Sequence, residues 1–176
     1  MHILIKILMI LLLIGTIYQD FKTRSISWYL LAMLAAVFIL NALKYHETNV
    51  MIRYVFYNIG ITTIMLAAVS VYFKLKYRQG LNLINKQLGF GDILILYILC
   101  LGFSPLNFVA FLLMAFLLTL IIHITGSIIT RRKSRTIPLA GYLSVFYLSI
   151  SLIAWFINGF DLIGDSRIEN LILLFQ

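Results

Sequence analysis

Cysteine is almost absent from this chain: Cys100 is the only one in 176 residues, and it lies inside an apolar run. A single thiol excludes an intrachain disulfide framework and a cysteine-based zinc site, and leaves Cys100 to read as a small buried hydrophobe. Charge is also scarce. Only 11% of the residues are charged while 62% are hydrophobic, whereas ordinary globular domains carry roughly 25% charged residues. Water cannot solvate most of such a surface, which excludes a soluble domain. The three histidines, His2, His46 and His123, fall in unrelated segments without ligand spacing, so no metal or cofactor is expected.

What the chain has in abundance is apolar runs. They cover about 3–19, 27–43, 52–73, 92–103, 106–129 and 137–157, and about 20 apolar residues cross a hydrocarbon core of about 30 Å. The expectation is an all-α polytopic bundle of about six transmembrane helices, with residues 1–176 forming a single integral membrane domain and no second domain. Pro105 marks a tight break between the fourth and fifth runs. The first run begins with His2 and Lys6, but no small-residue cleavage site closes it, so it reads as a retained span rather than a signal peptide.

The net charge of +8 does not point to nucleic acid, because the basic residues form short clusters between apolar runs and no single soluble face. Lys22 and Arg24 follow the first run. Lys74, Lys76, Arg78 and Lys86 follow the third, and Arg131, Arg132, Lys133 and Arg135 follow the fifth. These are alternate loops, and lysine and arginine accumulate in cytoplasmic loops. Ten of the 14 basic residues then face the cytoplasm, with the N-terminus outside. Trp28, Tyr29, Trp155 and Phe156 read as interfacial anchors. Residues 81–88 place Leu81, Ile84 and Leu88 on one face of a surface helix, and the tail 158–176 reads as an interfacial segment. Membrane lipid is therefore the expected environment.

Of the six carboxylates, Asp20 and Asp92 abut spans on the expected cytoplasmic side. An ionisable group at membrane depth is costly, which makes each a candidate for function. Separately each has a plain structural reading: Asp92 as a helix N-cap, Asp20 as a solvated residue beside Lys22 and Arg24. Together, two carboxyls can share a proton, one acting as base on water while the other donates to the leaving group, as in aspartic proteases. Asp92 follows Gly89, Phe90 and Gly91, and glycine lets a backbone bend or a substrate approach closely. Asn58, Asn82, Asn85, Gln87, Ser127, Ser144 and Ser149 are candidates to line a polar pocket or to satisfy neighbouring backbone.

At these residues the sequence resembles the type IV prepilin peptidase family, membrane aspartic proteases with a Gly-x-Gly-Asp motif. Asp20-Phe21-Lys22-Thr23-Arg24-Ser25-Ile26 is similar to the family's first aspartate and basic turn. Leu88-Gly89-Phe90-Gly91-Asp92-Ile93-Leu94 is similar to its second motif, and Arg135-Thr136-Ile137-Pro138-Leu139-Ala140-Gly141 to its Ile-Pro segment. The resemblance implies Asp20 and Asp92 as the catalytic pair, Gly89, Gly91 and Pro138 as supporting motif residues, and no cofactor. It further implies cleavage of a basic leader from a prepilin or pseudopilin partner at the cytoplasmic face of a bacterial inner membrane. Leu94 stands where many members have lysine, and Ser27 where many have proline. The first cytoplasmic loop is short and has no cysteine pair, so methyltransferase activity is not expected.

Other functions fit parts of the pattern. Presenilin-like proteases share Gly-x-Gly-Asp, but pair it with tyrosine-aspartate and proline-alanine-leucine, where this chain has Gln19 between Tyr18 and Asp20 and reads Pro138-Leu139-Ala140. A small cation- or proton-coupled transporter also suits six spans, although the aspartates lie at span ends rather than near the midplane. An inactive relative retained as an assembly partner is a further alternative.

Overall fold

A computed structural model describes residues 2–45, 48–77, 89–130 and 138–156. The expected surface helix over 81–88, the tail 158–176, Asn82, Asn85, Gln87 and the side chain of Ser127 lie outside the described residues. Within them the chain is all-helical: α1 (His2–Thr23), α2 (Trp28–Tyr45), α3 (Thr48–Tyr77), α4 (Phe90–Leu99), α5 (Pro105–Thr130) and α6 (Leu139–Phe156). Three of them contain segments long and apolar enough to cross a membrane, Ile3–Thr23, Asn49–Lys76 and Pro105–Gly126.

The radial distribution of side chains is that of a protein in lipid. The outward faces carry large apolar residues such as Phe56 and Leu75, each 76% exposed, together with Leu113, Ile64 and Leu11. Polar Thr16, Asp20, Asn58, Thr62, Ser104, Thr119 and Ser144 are buried. Contiguous apolar surface on this scale is not left against water, and polar groups at membrane depth turn toward the bundle interior. The chain is a helical membrane protein. Trp28 and Tyr29 are exposed at the start of α2, where interfacial anchors belong.

The core is built on one stripe of α1. Ile5, Met9, Leu13, Thr16 and Asp20 recur at helical spacing and are all buried, against Leu31, Leu34 and Phe38 of α2 and Leu143 and Tyr147 of α6. Helix α1 packs against α6 and α2, and α4 fits between α2 and α6, while α5 lies on α3 and α6. At the start of α1 the Lys6 ammonium sits 5.5 Å from the centre of the Trp155 ring near the end of α6, so the two helices run antiparallel.

The run expected over 92–103 is helical only through Leu99. At 1.5 Å per residue its ten residues rise about 15 Å, half a hydrocarbon core. The chain then turns through Cys100–Ser104 into α5. Such a break inside a bundle requires partners for the freed carbonyls, and Asn58 of α3 supplies them: its Nδ2 donates to Cys100 O at 3.0 Å and to Phe103 O at 2.8 Å. The turn is also tight. A Cβ on Gly102 would lie 2.9 Å from both Phe38 Cε1 and Tyr147 Oη. Proline at the first position of α5 lacks a donor that a helix start does not use, and Phe108 N–H closes the first turn on Ser104 O at 2.8 Å.

Candidate active site

The last turn of α1 carries Asp20. Its helix ends in a left-handed residue, Arg24 with φ 53°, whose N–H donates to Asp20 O at 2.9 Å. The following turn is held by Gln19, whose Oε1 accepts the Ser27 N–H at 2.9 Å. Ser27 in turn offers its carbonyl to Leu30 and Leu31 at the start of α2. This fastening directs the C-terminal turn of α1 at the bundle. Asp20 is only 5% exposed, so its carboxylate is not the solvated group that its neighbours Lys22 and Arg24 implied.

Asp92 lies in the first turn of α4, where its Oδ2 accepts the N–H of Gly89 at 3.2 Å, the backbone half of a capping box. Gly89 itself has φ −67° and ψ 142°, extended backbone open to any residue. Glycine eases the approach of the Asp92 carboxylate: a Cβ would lie 3.0 Å from Asp92 Oδ2, and that side chain would have to shift by a few tenths of an ångström. At Gly91 a Cβ would meet Ile26 at 3.4 Å, an ordinary van der Waals contact, which places this second glycine against the α1–α2 turn.

Both carboxyls converge on one feature, the N-terminus of α6. The Ala140 N–H donates to Asp92 Oδ1 at 2.8 Å and the Gly141 N–H to Asp20 Oδ2 at 2.5 Å. The first N–H groups of any helix have no partner within it, and the positive end of the helix dipole favours anions there. Pro138 precedes these donors, and its carbonyl accepts the Tyr142 N–H at 3.2 Å, closing the first turn. Gly141 is again set by close approach: a Cβ would stand 3.0 Å from Asp20 Oδ2 and 2.9 Å from Phe21 Cε2. Phe21 packs edge-on to Tyr142 with ring centres 5.1 Å apart.

Asp20, Asp92, Gly89, Gly91 and Pro138 are thus brought together, and Ile26 joins them. Sequence reasoning did not single out Ala140 and Gly141, whose backbone donors form the centre of the site. The available signal was Pro138, which marks a helix start and therefore unpaired N–H groups close by. Ser149 takes no part: its hydroxyl donates to Val145 O on an exposed face. Asn58 serves the α4–α5 turn. Among the described residues no three His, Cys, Asp or Glu side chains converge as metal ligands.

Fold and site together define a helical membrane protein with a paired-carboxylate centre mounted on a helix N-terminus. Comparison with protein-family models, curated proteins and solved structures returned no match to the chain.

Proposed function

We propose that the chain is a membrane-embedded aspartic endopeptidase, with Asp20 and Asp92 as its catalytic pair. The observation that carries this reading is the meeting of three separated sequence segments at one point, with the two carboxyls on successive N–H groups, Gly141 and Ala140, of one helix. Like charges held this close share a proton between them. One carboxylate takes a proton from a water molecule as its oxygen attacks the scissile carbonyl, and the other carboxyl donates its proton to the carbonyl oxygen. Collapse of the tetrahedral intermediate breaks the C–N bond, and the proton gained by the first carboxyl passes to the leaving amine.

Within that class, the particular reading is a prepilin peptidase. The resemblance of the Asp20, Gly89–Asp92 and Pro138 segments supports removal of a basic leader from type IV prepilins or pseudopilins. The alternating basic loops support a cytoplasmic position for the site, with the N-terminus outside, in a bacterial inner membrane. The basic loops orient the enzyme and contact anionic lipid; they do not attract a leader of the same charge.

The test is cleavage of candidate prepilins from the same genome by protein purified into liposomes, with the product N-terminus read by mass spectrometry. Cleavage by the wild type that is lost in Asp20→Asn and in Asp92→Asn supports the reading. Intact substrate with the wild type, or cutting by both variants, overturns it.

A further inference from the structure

Helices α1 and α6, which pack together, each carry a buried hydroxyl that the catalytic reading does not use. Thr16 and Ser144 are both fully buried, and the Ser144 hydroxyl has no hydrogen-bond partner among the described residues. A buried polar group without a partner is costly. Serine in a helix ordinarily returns its hydroxyl to the carbonyl four residues back, as Ser149 does to Val145; Ser144 does not.

Two contacts set the register of the helix pair. Asp20 meets Gly141 and Lys6 meets Trp155, so fourteen residues backward on α1 match fourteen forward on α6. In that register Thr16, one turn before Asp20 on the same buried stripe, stands level with Val145, and Ser144 lies one residue nearer the carboxyls. Ser144 is also one turn beyond Ala140 and Gly141, and helical side chains lean toward the N-terminus, here toward the two held carboxyls. The Ser144 hydroxyl makes no direct bond to either carboxyl, so a link to Asp20 calls for a bridging water.

We infer that Thr16 and Ser144 form a buried water site beneath Asp20, and that the bound water fixes the Asp20 carboxylate from the membrane side. The proton count closes. Thr16 Oγ1 already donates to Leu12 O at 2.8 Å, so it offers the water only a lone pair. Ser144 donates its hydroxyl proton to the water oxygen. The water's own protons go to Thr16 Oγ1 and to Asp20, giving it three partners, the usual number for an internal water. Both side chains are positioning residues, acting on the reaction through Asp20.

This inference rests on the peptidase reading for its kinetic arm and stands apart from it in its spectroscopic arm. Ser144→Ala and Thr16→Val each lower kcat roughly tenfold to a hundredfold, the effect of one hydrogen bond to a charged group, with KM unchanged. The double variant is no slower than either single one, because all three lose the same water. Thr16→Ser, which keeps the oxygen, retains the wild-type rate. Ser144→Ala still unfolds cooperatively, and the full rate of Thr16→Ser shows that the loss follows the missing oxygen and not damage to the fold. Wild-type kcat in Ser144→Ala, or multiplicative losses in the double variant, overturns the water site. The infrared band of the Asp20 carboxyl, assigned by its loss in Asp20→Asn, shifts in Ser144→Ala. Should the wild type cleave no prepilin, a shifted band upholds the water site while the peptidase reading falls, and an unshifted band overturns the water site as well.

Discussion

Replacing Gly141 with alanine tests the packing and the chemistry of the site in one substitution. The new methyl group would lie 2.9 Å from Phe21 Cε2, closer than real Cβ atoms approach, and a tight 3.0 Å from Asp20 Oδ2. Phe21 packs on Tyr142 and Asp20 is buried, so relief comes from separating α1 from the start of α6. Overpacking of this kind costs about 1–3 kcal/mol of stability. The same separation stretches the Gly141 N–H bond to Asp20, and a hydrogen bond to a charged group contributes about 1.5–3 kcal/mol, or roughly tenfold to a hundredfold in rate. The control is Gly60→Ala in α3, where a Cβ meets nothing within 4 Å; there the change is neutral or stabilises by up to about 1 kcal/mol through helix propensity. Reversible unfolding in mixed micelles and prepilin cleavage in liposomes give the two readouts. Gly141→Ala with the stability and rate of the Gly60→Ala control would refute the close α1–α6 contact on which the site is built.

On the proposed peptidase reading Asp20→Asn and Asp92→Asn abolish cleavage, and unfolding measurements separate them: Asp92 accepts two backbone N–H groups and Asp20 accepts Gly141, so an amide with one acceptor oxygen costs about 1 kcal/mol more at position 92. Equal stability of the two variants would contradict the bonding described. Asn58→Ala leaves the carbonyls of Cys100 and Phe103 without their donor and destabilises the bundle by about 2 kcal/mol or more; a loss below about 0.5 kcal/mol would show that the turn does not depend on Asn58. On the same reading, a prepilin whose apolar helix stays in the bilayer is expected to be cleaved faster than its soluble leader peptide alone, and equal rates measured by mass spectrometry would argue against lateral access from the membrane.

The helices were legible in the sequence because each must satisfy its own backbone within lipid, and long apolar runs are the direct signature of that demand. The bounds of α1, α2, α3, α5 and α6 follow their apolar runs to within a few residues, while α4 stops early. No local pattern marks that stop: Leu101, Gly102 and Phe103 are as apolar as the helix before them, and the break is stabilised by Asn58, more than 40 residues earlier. Asp20 and Asp92 stood out because carboxylates are few and expensive at the ends of spans.

Their partners did not stand out, because a backbone N–H carries no sequence label. Residue types and their periodicity alone determined that the chain is a helical bundle with apolar faces outward, and singled out two carboxylates against a background nearly free of them. Tertiary structure alone decided that those carboxylates meet on the first turn of α6, through a contact spanning 121 residues, and that Thr16 and Ser144 are both buried within a turn of that meeting point along their helices. The physical reason is range. Solvent and backbone demands act on each segment locally, whereas the site depends on the mutual register of helices, which is set by close approaches such as that at Gly141.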